Sequence, residues 1–211
     1  MVNNLSRGGQ QDERETYRRL IQDTYPSGIV SIVSDTWDLW NTLDVIAPSL
    51  SKEILARDGK VVFRPDSGDP ETILCGYKMV DLVIPEVLEG IATENLSSTQ
   101  VTNYAKYNHN TSYYDGYTYK GRHYNFDGIE VSENEVLGCV RILEKHFGSA
   151  LNEKGFKELN PKVGLIYGDS ITLQRAEGIL KRLIPALNSA QLRLNIPIIV
   201  VILNPQEFLY T

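Results

Sequence analysis

The sequence predicts an α/β fold that contains a parallel sheet. Three runs of mainly apolar, often β-branched residues occupy positions 29–33, 61–63 and 163–167. Such runs, bounded by turn residues, are typical of strands that are buried on both faces, as they are in parallel sheets. Apolar residues at helical spacing separate the runs, and Asp66 follows Asp35 by 31 residues, the length of one strand–helix–strand unit. We therefore expect helices to alternate with parallel strands.

The first predicted helix covers about residues 12–24. Its apolar residues recur at helical spacing, so they form one face, which consists of Tyr17, Leu20 and Ile21. The polar, glycine-rich residues 1–11 before it are expected to form a loose tail.

A second helix is predicted after the strand at residues 29–35. The strand ends in a carboxylate, and either Asp35 or Thr36 is expected to cap the helix that follows. The residues expected to pack this helix on the sheet are Trp37, Trp40 and Leu43.

The most informative stretch is residues 60–70, where an apolar run changes abruptly to a polar cluster. Pro65 has no backbone donor, so it ends the strand. The polar side chains that follow the strand are Arg64, Asp66, Ser67 and Asp69. In parallel α/β folds, ligands bind at the carboxyl ends of the strands, so these residues are candidate ligand-binding groups.

A polar, tyrosine-rich segment at about residues 76–128 interrupts the regular pattern, and we interpret it as an insertion. Residues 113–119 predict a hairpin around an Asp-Gly turn, and residues 95–112 predict a loop. The tyrosines are expected to pack a small surface lobe, although they could also stack on a base or a sugar.

The regular pattern resumes after the insertion. Ser132 and Glu135 form a capping-box motif before a helix, and a third strand, another helix and a fourth apolar run at residues 196–203 follow. We expect one domain, residues 1–211, with the insertion at about 76–128 and a diverged tail at about 186–211.

Composition excludes several classes of protein. The net charge of −6, without a basic run, argues against a nucleic-acid-binding surface. Cys75 and Cys139 lie far apart without ligand spacing, so we expect neither a disulfide framework nor a metal site. No apolar run approaches the roughly 18 residues of a membrane span, and the first residues lack a signal pattern. We therefore expect a cytoplasmic protein.

Three predicted strands end in aspartate, at Asp35, Asp66 and Asp169. In a parallel sheet these carboxylates gather at one rim, where they repel one another unless a ligand, a cation or hydroxyl groups offset their charge. Gly168 would let a ligand approach the backbone, and Arg64 offers a forked donor for a phosphate or an amide carbonyl. Helix capping could explain Asp35 and Asp169, but it does not explain Arg64 and Asp66 around a proline. We expect a ligand-binding rim.

Three motifs resemble the nicotinamide phosphoribosyltransferase family, especially its bacterial and phage members. They are Val-Ser-Ile-Val-Ser-Asp-Thr-Trp-Asp at residues 30–38, Phe-Arg-Pro-Asp-Ser-Gly-Asp-Pro at residues 63–70 and Ile-Tyr-Gly-Asp-Ser-Ile-Thr at residues 166–172. The resemblance covers about residues 12–75 and 130–185, and the long insertion is also similar to that of those members.

The resemblance implies an incomplete type II phosphoribosyltransferase α/β barrel with an inserted tyrosine-rich lobe. It implies a glycosyltransferase of the pentosyltransferase class that joins nicotinamide to phosphoribosyl pyrophosphate. The products would be nicotinamide mononucleotide and pyrophosphate, in NAD biosynthesis. Mg²⁺ and ATP are the implied cofactors, and the full-length family implies a homodimer without nucleic-acid or membrane partners.

The resemblance also implies roles for single residues. Arg64 would contact pyrophosphate and the nicotinamide carboxamide. The ribose hydroxyls would be held by Asp66, Gly168 and Asp169, and Asp35 would orient a catalytic histidine. No metal ligand is assigned. Displacement at the anomeric carbon develops positive charge on the sugar, which carboxylates favour, while arginine favours the leaving pyrophosphate.

The sequence also departs from the family. The catalytic histidine of the family lies just upstream of the segment that resembles residues 12–35, and none of the three histidines here occupies a catalytic motif. The resemblance ends near residue 186, before a Gly-rich phosphate loop. We therefore expect a fragment that is inactive alone. Two alternatives stay open: a nicotinate phosphoribosyltransferase, or a non-catalytic nucleotide-binding or regulatory module.

Overall fold

The computed structural model describes residues 12–85, 87–88, 91–92, 96–153, 157–167 and 171–183. The chain forms two compact units, one of Met1–Cys75 with Cys139–Thr211 and the other of Gly76–Gly138. None of the helices in these ranges is long and apolar enough to cross a membrane.

Short strands and helices alternate along the chain. The strands are β1 (Ser27–Val33), β2 (Asp58–Arg64), β3 (Met79–Asp81), β4 (Val87–Leu88), β5 (Ile91–Ala92), β6 (Gly116–Tyr119), β7 (Arg122–Asn125), β8 (Glu130–Val131), β9 (Ser149–Leu151), β10 (Lys157–Leu159) and β11 (Val163–Leu165). The α-helices are α1 (Glu13–Arg19), α2 (Leu39–Asn41), α3 (Ala47–Ser49), α4 (Ser51–Ala56), α5 (Pro70–Cys75), α6 (Ser98–Asn108), α7 (Glu133–Phe147) and α8 (Leu173–Leu183). Two π-helical turns, Leu20–Thr24 and Thr42–Ile46, extend α1 and join α2 to α3.

A parallel sheet in the order β1–β2–β11 forms the centre of the first unit. On the central strand, Val61 lies between Val30 of β1 and Val163 of β11. Val61, Val62 and Phe63 are at most 2 % exposed. Burial on both faces therefore explains the unbroken apolar run, and the predicted α/β class with parallel strands is confirmed.

Helix α1 and its π-helical extension bury one apolar face, as predicted for residues 12–24. Tyr17, Leu20 and Ile21 are at most 2 % exposed. The ring of Tyr17 stacks on Phe63, with the ring centroids 6.3 Å apart. The helix therefore packs on the centre of the parallel sheet.

Arg57 joins the end of this helical segment to the start of β1. Its guanidinium donates to the carbonyl groups of Ile21, Tyr25, Ser27 and Gly28. The side chain is buried, and this burial lowers the pKa of the guanidinium. Four carbonyl acceptors replace much of the hydration that the buried charge loses.

The helical segment after β1 begins later than predicted. Its N-cap is Asp38, whose Oδ1 accepts the amides of Trp40 and Asn41 at 3.0 and 3.1 Å. The prediction that Asp35 or Thr36 caps this helix is wrong. Both aspartates have the chemistry of a cap, and the backbone places only Asp38 at the helix end.

The aromatic residues of this segment also differ from the prediction. Trp37 precedes the helix and is 46 % exposed, so the expectation that it packs the helix on the sheet is wrong. Trp40 is partly buried, and Leu43 is fully buried as predicted.

The second unit combines helix α6 with a four-stranded sheet in the order β3–β6–β7–β8. The pair β3 and β6 is parallel, and the other pairs are antiparallel. Its buried core residues are Leu82, Val101, Ala105 and Tyr117, and the partly buried rings of Tyr124 and Phe126 pack against them. That this unit is an insertion within one domain stays a prediction.

The hairpin of the second unit turns at a different place from the predicted one. Strands β6 and β7 form it, and Lys120 and Gly121 connect them with φ angles of 49° and 76°. Two consecutive residues with positive φ are typical of a type I′ turn. The prediction of a turn at Asp115 and Gly116 is therefore wrong.

Part of the segment predicted as a loop, residues 95–112, is helical. Helix α6 begins with a capping box, in which the hydroxyl of Ser97 accepts the Gln100 amide and the Gln100 side chain accepts the Ser97 amide. The buried side of α6 consists of only Val101, Thr102 and Ala105, so its apolar pattern is weak.

The capping box predicted before α7 is confirmed. The amide of Ser132 donates to Glu135 Oε2 at 2.7 Å, and the Glu135 amide donates to the Ser132 hydroxyl at 3.3 Å. Gly138, with φ of 75° and ψ of 164°, interrupts α7 with a kink.

The first and last segments of the second unit lie side by side. The amide of Tyr77 donates to the Glu135 carbonyl at 3.3 Å. Gly76 has φ of 80°, and a Cβ atom at this position would overlap the carbonyl oxygen of Val136. Close backbone contact therefore explains the glycine at the start of this unit.

Candidate active site

The strands of the parallel sheet end next to one another. The Ser34 amide donates to the Arg64 carbonyl at 2.9 Å, and the Ile166 amide donates to the Phe63 carbonyl at 3.0 Å. We call the side chains at this edge the strand-end rim, defined by Asp35, Arg64, Asp66, Ser67 and Tyr167.

Asp35 holds the turn that follows β2. Its Oδ2 accepts the backbone N–H groups of Asp66 and Ser67 at 2.8 and 2.7 Å. Hydrogen bonds to an ionised acceptor are roughly twice as strong as neutral ones, so this carboxylate fixes the backbone of the turn. Its role in orienting a histidine stays a prediction.

Arg64 and Asp66 form an ion pair at the exit of β2. Arg64 Nη2 lies 2.7 Å from Asp66 Oδ1, and the side chains are 12 % and 37 % exposed. The Arg64 amide donates to the hydroxyl of Ser34, which donates to the Ile32 carbonyl. The pair is therefore anchored in the sheet at one end and open to solvent at the carboxylate.

Tyr167 is a rim residue that sequence reasoning missed. Its hydroxyl donates to the Gly68 carbonyl at 2.7 Å, and its side chain is 3 % exposed. It therefore links the chain after β11 to the turn after β2. A buried tyrosine hydroxyl needs a hydrogen-bond partner. A tyrosine at the end of an apolar run was therefore the sequence signal that pointed to such a contact.

The structure brings only some of the predicted site residues together. Asp35, Arg64 and Asp66 come together at the rim. Asp69 instead caps α5, where its Oδ2 accepts the Thr72 amide at 3.1 Å. The remaining predicted positions lie outside the described residues and are Gly168, Asp169 and the apolar run at 196–203.

Glu13 is a buried carboxyl group in the same unit that the sequence pattern did not single out. It is 1 % exposed, and its Oε1 accepts the hydroxyl of Thr42 at 3.2 Å. Burial raises the pKa of Glu13, the Thr42 hydrogen bond opposes this effect, and the negative charge of Asp38 raises the pKa further. The protonated form is therefore favoured relative to an exposed glutamate.

We expect Glu13→Gln to stabilise the protein relative to the native chain as the pH rises above about 4.5, the ordinary glutamate value. The folded chain holds the Glu13 proton more tightly than the unfolded chain does. Its contribution to stability is therefore fully present below that value and is lost as the pH rises through the raised pKa. Urea unfolding of both chains between pH 4 and pH 8 measures the difference.

Glu15→Gln is the control, because a hydrogen bond from Arg18 lowers the pKa of Glu15. The stabilising contribution of Glu15 is lost as the pH falls, so its substitution has the opposite pH dependence. A stability difference between the native chain and Glu13→Gln that does not change with pH would contradict the raised pKa.

A cleft of about 490 Å³ opens beside the rim. We call it the tryptophan cleft, and its lining residues are Asp35, Trp37, Asp38, Leu39, Trp40, Ser67, Gly68 and Ile73. Cavities of this size hold small molecules.

The histidines have other surroundings. His146 Nε2 lies 2.6 Å from Asp44 Oδ1, and His109 and His123 belong to the second unit. In the part of the chain that the structure describes, no histidine makes a hydrogen bond with Asp35.

The described side chains include no nucleophilic thiol or metal cluster that sequence reasoning missed. Cys75 and Cys139 are free thiols, and burial raises the pKa of Cys75 to about 12 and raises that of Cys139 as well. Such thiols are poor nucleophiles. Among the residues placed by the structure, no three His, Cys, Asp or Glu side chains are grouped to hold a metal ion.

The rim combines chemical groups that suit a phosphorylated sugar. The Asp66 carboxylate can accept hydrogen bonds from hydroxyl groups, and the Arg64 guanidinium carries the positive charge and forked N–H groups that phosphate prefers. Arg64 is the last residue of β2, and Asp66 lies on the following turn, whose backbone Asp35 holds.

Known proteins resemble this chain over most of its length. Residues 8–188 match the model of the nicotinate phosphoribosyltransferase (NAPRTase) family. The nicotinamide phosphoribosyltransferase of Acinetobacter baylyi is 39% identical over 182 residues, 83% of this chain and 26% of the relative. That of Mycoplasma pneumoniae is 31% identical over 175 residues, 83% of this chain and 28% of the relative. That of Mycoplasma genitalium is 30% identical over 172 residues, 82% of this chain and 27% of the relative.

The chain spans about a quarter of the length of the curated relatives that it matches. The matched region nevertheless contains all three sequence motifs and every residue of the strand-end rim.

Proposed function

Because this chain belongs to the nicotinate phosphoribosyltransferase family, we propose that its strand-end rim binds the ribose and diphosphate of phosphoribosyl pyrophosphate. The proposed reaction is transfer of the phosphoribosyl group to nicotinamide, the substrate in the names of the relatives. The ring nitrogen of nicotinamide forms a bond to C1 of the ribose, and the bond from C1 to the diphosphate oxygen breaks. The products are nicotinamide mononucleotide and pyrophosphate.

The observation that carries this proposal is the ion pair between Arg64, at the end of β2, and Asp66, on the turn that Asp35 fixes. The fixed backbone presents a cation for the diphosphate beside a carboxylate for the ribose hydroxyls. Groups that are already in place need little reorganisation when the ligand binds, which strengthens both binding and catalysis.

The charges of the rim also favour the bond-breaking step. As the bond from C1 breaks, positive charge develops on the ribose and negative charge on the leaving diphosphate. Asp66 stabilises the first charge and Arg64 the second. We propose that Gly168 and Asp169, which follow the third strand of the sheet in sequence, complete the ribose contacts.

Mg²⁺ suits this chemistry, and the rim offers two carboxylates as ligands for it. Mg²⁺ keeps several water ligands and usually binds through one or two carboxylates together with substrate phosphates. Asp35 and Asp66 would supply the carboxylates at the rim. When bound with the donor, the ion would neutralise charge on the diphosphate oxygens.

ATP does not fit the described residues in the same way. The implied use of ATP depends on a histidine beside Asp35, and no histidine among the described residues makes a hydrogen bond with Asp35. His146 is paired with Asp44.

The wider setting is proposed from the family resemblance. We propose that the parallel sheet belongs to a type II α/β barrel and that the complete enzyme is a homodimer. We also propose that it works in the cytoplasm without nucleic-acid or membrane partners.

Isothermal titration of the purified chain with phosphoribosyl pyrophosphate and with nicotinamide mononucleotide tests the proposal. We expect both to bind, and we expect Arg64→Ala and Asp66→Ala each to weaken binding about tenfold, the effect of losing one charge-assisted contact. Asp69→Asn is the matched control, because asparagine also caps helices and the residue lies on the same turn outside the ion pair.

Equal affinity of the native and Asp66→Ala chains would show that the ribose does not bind at this carboxylate. Formation of nicotinamide mononucleotide by the chain alone would show that the additional length of the relatives is not required for turnover. Replacing nicotinamide with nicotinate in that assay identifies the acceptor.

A further inference from the structure

Helix α5 continues directly from the turn that carries Asp66. Asp35 holds the backbone at the near end of this turn, and α5 forms its far end. Ile73 of α5 also lies against the turn, because a Cβ atom at Gly68 would be 3.0 Å from Ile73 Cγ1. A helix of 6 residues is too short to be stable by itself. A contact that anchors α5 therefore also fixes the far end of the turn.

Helix α8 anchors α5 through an ion pair that is partly buried. Arg182 Nε donates to Glu71 Oε2 at 3.0 Å, and the side chains are 15 % and 28 % exposed. One helical turn further along α5, the Cys75 thiol lies 3.7 Å from the carbonyl oxygen of Ile179. Partial burial limits the solvent and salt screening that weakens surface ion pairs, so this contact can hold the two helices together.

The same contact explains a glycine in the interior of α8. A Cβ atom at Gly178 would overlap Glu71 Oε1 and lie 2.8 Å from Glu71 Oε2. Glycine destabilises the interior of a helix relative to alanine. At this position, however, alanine would displace the Glu71 carboxylate from Arg182. The helix therefore carries its least favourable ordinary residue at the point where the ion pair needs space.

We propose that Glu71 and Arg182 are positioning residues for the strand-end rim. Their ion pair, which we call the α5–α8 clamp, holds α5 where the preceding turn presents Asp66 to the ligand. Neither residue of the clamp touches the ligand in this proposal. The inference rests on the proposed binding of phosphoribosyl pyrophosphate at the rim.

Isothermal titration with phosphoribosyl pyrophosphate measures the effect of the clamp on binding. We expect Glu71→Ala and Arg182→Ala each to weaken binding about fivefold. The double variant should bind no more weakly than either single variant, because both side chains act through one contact. Lys181→Ala is the matched control and should bind with native affinity, because Lys181 pairs with Glu177 within α8.

Gly178→Ala tests the geometry of the clamp without removing either charge. We expect it to weaken binding by about the same factor as Glu71→Ala, because the added methyl group displaces the carboxylate. In the Glu71→Ala chain the space is empty. There the same change should leave the affinity unchanged and raise the melting temperature, because alanine favours the helix.

Tryptophan fluorescence tests the position of α5 without a ligand. Ile73 of α5 lines the tryptophan cleft together with Trp37 and Trp40, the only two tryptophans of the chain. Breaking the clamp releases this wall of the cleft. We therefore expect acrylamide to quench the Glu71→Ala chain with a higher quenching constant than the native chain, and Lys181→Ala to be quenched like the native chain.

Native affinity for phosphoribosyl pyrophosphate in a folded Glu71→Ala chain would overturn the proposal. Acrylamide quenching equal to that of the native chain would also overturn it, and so would effects of the two alanine changes that add up in the double variant. Circular dichroism confirms that each variant is folded, and Gly178→Ala, which keeps both charges, replaces an alanine variant that does not fold.

The proposed function fails in a different way. A native chain that does not bind phosphoribosyl pyrophosphate, or an Asp66→Ala chain that binds it with native affinity, would contradict the ligand assignment of the rim. The acrylamide comparison needs no ligand, so it still decides whether the clamp holds α5 in place.

Discussion

Replacing Asp35 with alanine is expected to lower the free energy of unfolding by about 3 kcal/mol, because two backbone amides lose an ionised acceptor. These amides belong to Asp66 and Ser67 and lie 2.8 and 2.7 Å from Asp35 Oδ2. The same change releases the turn that carries Asp66, the partner of Arg64. We therefore also expect phosphoribosyl pyrophosphate binding to fall by about a hundredfold or more, which exceeds the effect of losing either ligand contact alone.

Urea unfolding and isothermal titration of the same preparations measure the two effects. Asp35→Asn is the matched variant, because its side-chain oxygen can still accept one or both amides without the charge. It should retain most of the stability and lose less affinity than Asp35→Ala. Native stability in Asp35→Ala would show that the turn does not depend on these hydrogen bonds.

Gly59→Ala is expected to destabilise the first unit by about 4 kcal/mol, in the range that only severe steric or core changes reach. Gly59 has φ of 132°, which side chains rarely adopt, and it lies opposite Gly28 where β1 pairs with β2. A Cβ atom at this position would overlap the Gly28 carbonyl oxygen and lie 2.7 Å from the Gly28 nitrogen. The strands could accommodate it only by separating at this pair.

Two other glycines in the same sheet isolate the cause. Gly28 also has positive φ, at 72°, but a Cβ atom there meets nothing within 4 Å, so Gly28→Ala should cost about 1 kcal/mol of backbone strain. At Gly164 the nearest atom, Cδ of Lys60, would be 3.3 Å away and belongs to a flexible side chain. Thermal melting should rank the alanine variants at positions 59, 28 and 164 in that order of destabilisation. Equal melting temperatures would refute the steric argument.

The sheet was predictable because burial on both faces leaves a clear mark on the sequence. No polar residue interrupts the run of Val61, Val62 and Phe63, and all three side chains are buried. The polar cluster after β2 was also predictable, because Pro65 has no backbone N–H group and ends the hydrogen bonding of that strand. Local chemistry also sufficed for the Ser132 and Glu135 capping box, whose partners are three residues apart.

The wrong predictions concern choices that local sequence leaves open. Asp35 and Asp38 can both cap a helix, and only the position of the turn after β2 assigns Asp35 to another role. Helix α6 was taken for a loop because few of its residues are apolar. Within the candidate site, Tyr167 was missed because its partner, Gly68, is 99 residues away in sequence.

The close contact at the base of the second unit has a consequence for how this chain can change in length. The chain enters the second unit at Gly76, and Glu135 and Val136, near the end of that unit, touch the entering segment. The separation between the two points is therefore small. Residues could be inserted or deleted between these two points without changing the distance that the flanking backbone must span. We therefore expect a change in length between residues 78 and 134 to leave the contact between Gly76 and Val136 in place.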